Sequence, residues 1–135
     1  MKKYSIALLL TMAAAAAYAG DTKVTLTGAE ETPAVTTNAS GAGTITVGSG
    51  AEHAVSGSIT TKEVQATAAH IHQAAAGKSG PPVITLAKTG DNTWSVPAGS
   101  TLNDEQYASY LAGNLYINVH SADHRSGEIR GQLRP

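Results

Sequence analysis

Eight short runs rich in threonine, valine and isoleucine, "TKVTLTG", "GAGTITVGSG", "AVSGSITT", "QATAAHIHQ", "PPVITLAK", "NTWSV", "LYINVHS" and "GEIRGQL", follow one another between glycine-containing breaks. β-Branched side chains suit the pleated surface of a strand, and many such strands joined by turn residues build antiparallel sandwiches and barrels. The pattern predicts an all-β fold, an antiparallel Greek-key-like sandwich or barrel of about eight short strands. One segment departs from it. In "LNDEQYASYLAGN", Asn103 precedes Gln106 by one turn, acids follow the cap, Tyr107, Tyr110 and Leu111 lie at helical spacing, and Gly113 suits a C-terminal cap. A short helix is expected over residues 103–112, packed on an end of the sandwich.

The first residues read differently from the rest. Lys2 and Lys3, the apolar run from Ile6 to Ala17 and the small-residue site Ala17-Tyr18-Ala19 have the three parts of a secretory signal peptide. The expectation is a cleaved signal over residues 1–19, a single domain over residues 20–135, and a periplasmic or secreted location. No later segment approaches the roughly 20 apolar residues of a membrane-spanning helix. Nine basic residues stand against ten acidic ones, and loss of Lys2 and Lys3 makes the balance more acidic, which argues against a nucleic-acid partner.

Sulfur is confined to Met1 and Met12, within the expected signal, and cysteine is absent. A site on the rest of the chain can therefore draw only on imidazole, carboxylate, phenol and amide, which excludes blue-copper and iron–sulfur centres. Five histidines supply the imidazoles. In "TAAHIHQAAAG", residues two apart on a strand share a face, so His70 and His72 point one way and Ile71 the other. If "AVSGSIT" and "QATAAHIH" form a hairpin about Lys62-Glu63, His53 lies opposite His72. In "LYINVH", Leu115, Ile117 and Val119 take the core face, and Tyr116, Asn118 and His120 the polar one. Ile129 and Leu133 likewise turn Glu128, Arg130 and Gln132 outward, while a tight loop would fold His124 back toward His120.

An imidazole-only cluster suits copper(II) or zinc. The candidate metal ligands are His70, His72 and His120, with His124 or His53 as a fourth. Taken singly, each has a plainer account: two solvated residues for the H-x-H, a hydrogen-bonded strand residue for His120, a loop residue for His124, and a weakly paired solvated face for Glu128 and Arg130. One metal site explains several placements together.

The stretches "LTGAEETPAVTTNASGAGTITV", "AAHIHQAAAGKSGPPVITL" and "NLYINVHSADHRSGEIRGQL" resemble the CHRD (chordin-like) domain family over most of residues 20–135. The pattern they follow runs from an L-x-G-x-x-E-x-P opening through A-H-I-H to N-V-H-T and G-E-I-R-G-Q. Ser121 replaces the usual threonine, and Arg125 stands where the family often has proline. The resemblance implies an extracellular or periplasmic all-β domain and carries over His70, His72, His120, Asn118, Glu128 and Arg130 as motif positions. By the family's name it also implies a binding module. A second likeness, of architecture alone, is to copper-zinc superoxide dismutases, which place an H-x-H copper-ligand pair on a β-sandwich. The resulting expectation is an exported copper-binding protein, redox-active through Cu(II) and Cu(I), with superoxide as substrate and Arg130 drawing in the anion. A non-enzymatic copper or zinc carrier and a metal-free protein-interaction module are the alternatives.

Overall fold

The computed structural model describes residues 20–135, so the expected signal segment lies outside the described residues. Among them the chain forms β1 (Asp21–Thr27), β2 (Ser40–Val47), β3 (Val55–Lys62), β4 (Ala66–Gln73), β5 (Pro82–Thr85), β6 (Ala87–Gly90), β7 (Thr93–Ser95), α1 (Asp104–Leu111), β8 (Leu115–Ser121) and β9 (Ile129–Leu133). All strand pairs are antiparallel, in the order β5-β4-β8-β9-β1-β2-β3-β7-β6. The two ends of that order are successive in the chain, joined through Leu86 alone. The Leu86 amide donates to the Ala69 carbonyl at 2.9 Å, so one bent segment pairs with β4 on one side and β7 on the other. The sheet is thereby nearly closed. An all-β antiparallel fold with one short helix is what the threonine- and valine-rich runs predict.

Closure gathers one face of every long strand inside. Leu26, Ile45, Ile59, Ala69, Ile71, Leu115, Ile117, Val119, Ile129 and Leu133 are each 1 % exposed or less and form a single cluster. Each large aliphatic side chain so buried stabilises the fold by about 1.5–3 kcal/mol relative to exposure. Alternation decides membership: Ile71 lies inside between His70 and His72, and Ile117 between Tyr116 and Asn118.

The helix forms where its cap predicts. The Asn103 side chain accepts from the Gln106 amide at 2.8 Å, and the Gln106 side chain accepts from the Asn103 amide at 2.9 Å, which satisfies two free helix donors. Gly113 adopts φ +79 just beyond the last turn. Tyr110 is fully buried, but Leu111 is half exposed, because an eight-residue helix turns only one narrow face to the sheet.

Two expectations are corrected. First, β3 and β4 do not form a hairpin: β3 pairs with β2 and β7, and β4 with β8 and β5. Glu63, at φ +56, turns the chain across to the far side of the sheet order. Alternation fixes which face a strand buries, not which strand lies beside it, and so it did not determine this register. Second, the polar face of β8 and β9 is not solvated. Tyr116, Asn118, Arg130 and Gln132 are all buried, and the segment before β2 and the segment after β4 supply partners to Arg130 and Gln132. Glu128 and Arg130 do not pair; Glu128 accepts from Thr37 at 2.8 Å and from Ser121 at 2.7 Å.

Candidate metal centre

The site grows from the pairing of β4 with β8. Ala68 stands opposite His120, His70 opposite Asn118 and His72 opposite Tyr116, so these side chains, all on the outer face, form two adjoining rows. His70 Nδ1 lies 3.0 Å from His120 Nε2, and one ring nitrogen from each of His70, His72 and His120 falls within 4.8 Å of the others. The His70 and His120 side chains are partly buried, and His72 Nε2 is buried.

Backbone carbonyls aim two of the rings. His120 Nδ1–H donates to the Arg125 carbonyl at 2.8 Å, and His72 Nδ1–H donates to the Gly80 carbonyl at 2.9 Å. Each ring so fixed presents its Nε2 lone pair to the group, the arrangement that orients histidine ligands in metal sites. With no proton on His120 Nε2, the proton of the His70–His120 hydrogen bond belongs to His70 Nδ1. An ion bound at His70 Nδ1 would therefore require the other tautomer, with the proton on Nε2.

The loops that supply these carbonyls are themselves fastened. Ser121 Oγ donates to Glu128 and accepts from the His124 amide at 3.2 Å, while the Ser121 and Gly127 amides donate to the His124 carbonyl. That closed turn carries Arg125 over His120. On the other side, the Gly80 amide donates to the Tyr116 hydroxyl at 3.2 Å, so one residue ties both Tyr116 and His72. A Cβ on Gly80 would lie 1.9 Å from the Gln73 carbonyl oxygen, a contact only glycine avoids.

Arg130 completes the support. Its guanidinium carbon lies 3.5 Å from the centre of the Tyr116 ring, and the His72 ring stacks on Tyr116 at 4.9 Å and 3°. Because β4 and β9 flank β8, the phenol ring lies between the imidazole and the guanidinium. Arg130 donates to the Lys78 and Ala75 carbonyls at 2.7 and 3.1 Å and to Gln132 at 3.0 Å. The residue is 2 % exposed. Drawing an anion from solvent needs a charge that faces solvent, whereas this one braces the loop between β4 and β5.

Burial pushes the His70 and His72 pKa values below the ordinary 6.5, and the neighbouring imidazoles push the same way. For His72 the Gly80 carbonyl and the Asn118 amide work in the opposite direction, and Arg130 lowers it further. His70 and His72 are thus favoured in the neutral form, the one that can donate to a metal. Glu31 also borders this polar layer. Burial raises its pKa to about 7, against the lowering effects of Arg130, the Thr32 amide and Asn118.

Two candidate ligands lie outside the group. His53, at φ +46, stacks on Tyr107 at 3.8 Å and 8°, and its Nε2 lies 3.1 Å from the Asp104 carboxylate beside the N-terminus of α1. The expected hairpin would have carried it to His72; the crossover from β3 to β4 takes it elsewhere. His124 gives its backbone to the turn, and its side chain is not among the converging nitrogens. Tyr116, Gly80 and Glu31 were not singled out from the sequence. The alternation of "LYINVH" had placed Tyr116 on the histidine face, but no sequence signal marks a loop carbonyl that orients a ring.

A family model for the CHRD domain matches residues 22–133, which spans every described strand from β2 to β9 and nearly all of β1. No curated protein and no solved structure gives a significant match. The motifs that build the centre, A-H-I-H on β4 and N-V-H on β8, lie within the matched region, and the chain belongs to the CHRD domain family.

Proposed function

We propose that this protein is exported and binds one copper ion through His70, His72 and His120, with superoxide as the substrate of a Cu(II)/Cu(I) cycle. The observation that carries the reading is the convergence of three ring nitrogens within 4.8 Å, two of them on rings whose other nitrogen is tied to a backbone carbonyl. Nitrogens each about 2.0–2.1 Å from one ion stand roughly 3 Å apart when they are cis ligands, and His70 Nδ1 and His120 Nε2 are separated by 3.0 Å. Imidazole donors without sulfur fit copper(II) and zinc. Partial exposure of His70 and His120 leaves a small molecule access to an ion held there.

The redox step needs no organic cofactor. Held by His70, His72 and His120, a copper ion would supply one-electron exchange for converting two superoxide ions and two solvent protons into dioxygen and hydrogen peroxide. We assign Arg130 to holding Tyr116 and the loop that aims His72, rather than to steering the anion. The reading is tested with protein exported by its host and loaded with one equivalent of copper. Dismutation well above that of the same free copper is expected. Tight binding without turnover would reduce the role to copper carriage, and zinc retained in place of copper would remove the redox reading.

A further inference from the structure

Three polar atoms of the layer around the histidines are buried without a hydrogen-bond partner: His72 Nε2, Asn118 Oδ1 and Glu31 Oε1. Such atoms are rare in folded proteins, because each forfeits its hydration without compensation. The first two belong together. His72 donates through Nδ1 to Gly80, so its neutral ring offers only a lone pair at Nε2. Asn118 Oδ1, likewise an acceptor, is buried without a donor, on the neighbouring strand of the same outer face. Two buried acceptors on one face, neither with a donor, call for an electropositive group that serves both.

The orientation of the amide is fixed from the other end. Asn118 Nδ2 donates to the Ser126 carbonyl at 3.2 Å, and the opposite amide orientation would set two oxygens against each other. Gly127 leaves the space for this. A Cβ there would lie 2.6 Å from Asn118 Nδ2 and 2.5 Å from Glu31 Oε1, so the missing side chain is the room that both groups occupy. Asn118 is also the cross-strand partner of His70, lies two residues before His120 on β8, and is 3 % exposed. Its oxygen therefore lies on the face that carries all three imidazoles.

The geometry points to Asn118 Oδ1 as a fourth donor at this centre, completing a set of three imidazole nitrogens and one neutral amide oxygen. The inference rests on the metal reading of the three histidines. It also alters the chemistry proposed there. A hard carbonyl oxygen favours Cu(II) or Zn(II) over Cu(I), so Asn118 lowers the preference for the reduced ion that three imidazoles alone would give.

The test is Cu(II) binding to the protein as exported by its host, unsubstituted and as Asn118→Leu and Asn118→Asp, read by chelator competition and by electron paramagnetic resonance. Leucine has nearly the shape of asparagine without the oxygen, and Asn118→Leu is expected to lose at least about tenfold in Cu(II) affinity and to change the parallel hyperfine coupling. Asn118→Asp keeps an oxygen in place with added charge and is expected to bind at least as tightly, with a shifted g value. Unsubstituted protein that does not bind copper would sink the underlying histidine reading. Unsubstituted protein that binds, with variants of equal affinity and identical spectra, would overturn the role of Asn118 alone. If Asn118→Leu does not fold, the aspartate variant decides the matter, because a spectrum unchanged by a charge on that oxygen excludes it as a ligand.

Discussion

His70 Nδ1 and His120 Nε2 stand 3.0 Å apart, although their residues come from strands separated in the chain by three other strands and the helix. The contact depends on the β4–β8 register and on the Arg125 carbonyl, which rotates His120 so that Nε2 faces inward. A preformed site of this kind spends little ordering entropy on binding an ion.

Acid should release the metal later than ordinary imidazole would. Burial holds His70 and His72 below 6.5, so both remain neutral and able to donate at pH values where free imidazole is protonated. A copper titration is expected to lose binding as pH falls, at a lower pH than ligands of ordinary imidazole pKa would. The same shifts act on the metal-free fold. The unfolded chain takes up protons at these two residues before the folded one does, so stability present above pH 6.5 declines as pH falls below it. Binding that is flat from pH 8 to 5 would point to carboxylate donors instead.

Glu31 gives the opposite slope. Its carboxyl is raised from 4.5 to about 7, so between those values the folded chain holds a proton that the unfolded chain has released. Stability from this group is full below pH 4.5 and is lost as pH rises to about 7. Glu31→Gln, which stays neutral, is expected to raise stability at pH 8 by about 1–3 kcal/mol. Urea melts of the two proteins at pH 4.5 and 8 measure it: the difference should be larger at pH 8.

Arg130→Lys keeps the charge and loses the planar fork. The ammonium cannot serve Lys78, Ala75 and Gln132 together while lying flat on Tyr116. A loss of about 2–3 kcal/mol is expected. Because the loop it braces also aims His72 through Gly80, copper affinity should fall as well, although Arg130 touches no ligand nitrogen.

His53→Ala should separate the histidines by role. Its ring stacks on Tyr107 and meets Asp104, outside the converging group. The variant is expected to melt earlier, by about 1 kcal/mol, and to bind copper with unchanged stoichiometry and affinity.

How much of this was legible beforehand follows from what periodicity encodes. Alternation assigned Ile71, Ile117 and Val119 to the core and put His70, His72 and His120 on outer faces, and the Asn103–Gln106 box located α1. Periodicity is local, so the partner of a strand is not in it. His53 was placed by a hairpin that does not form, since Glu63 sends the chain across the sheet order. Alternation places Arg130 on a face that is usually solvated; here the loop after β4 supplies carbonyls that cover it. The family motifs had paired A-H-I-H with N-V-H, and the β4–β8 ladder supplies the physical reason.

The central claim is that His70, His72 and His120 hold one metal ion together. Electron paramagnetic resonance of the protein loaded with one equivalent of Cu(II) tests it most directly, with Ala replacing each of the three in turn. The account expects nitrogen hyperfine structure from imidazoles in the unsubstituted protein, and loss or alteration of that pattern in every one of the three variants. A spectrum without nitrogen coupling, or one that survives all three substitutions unchanged, would contradict it.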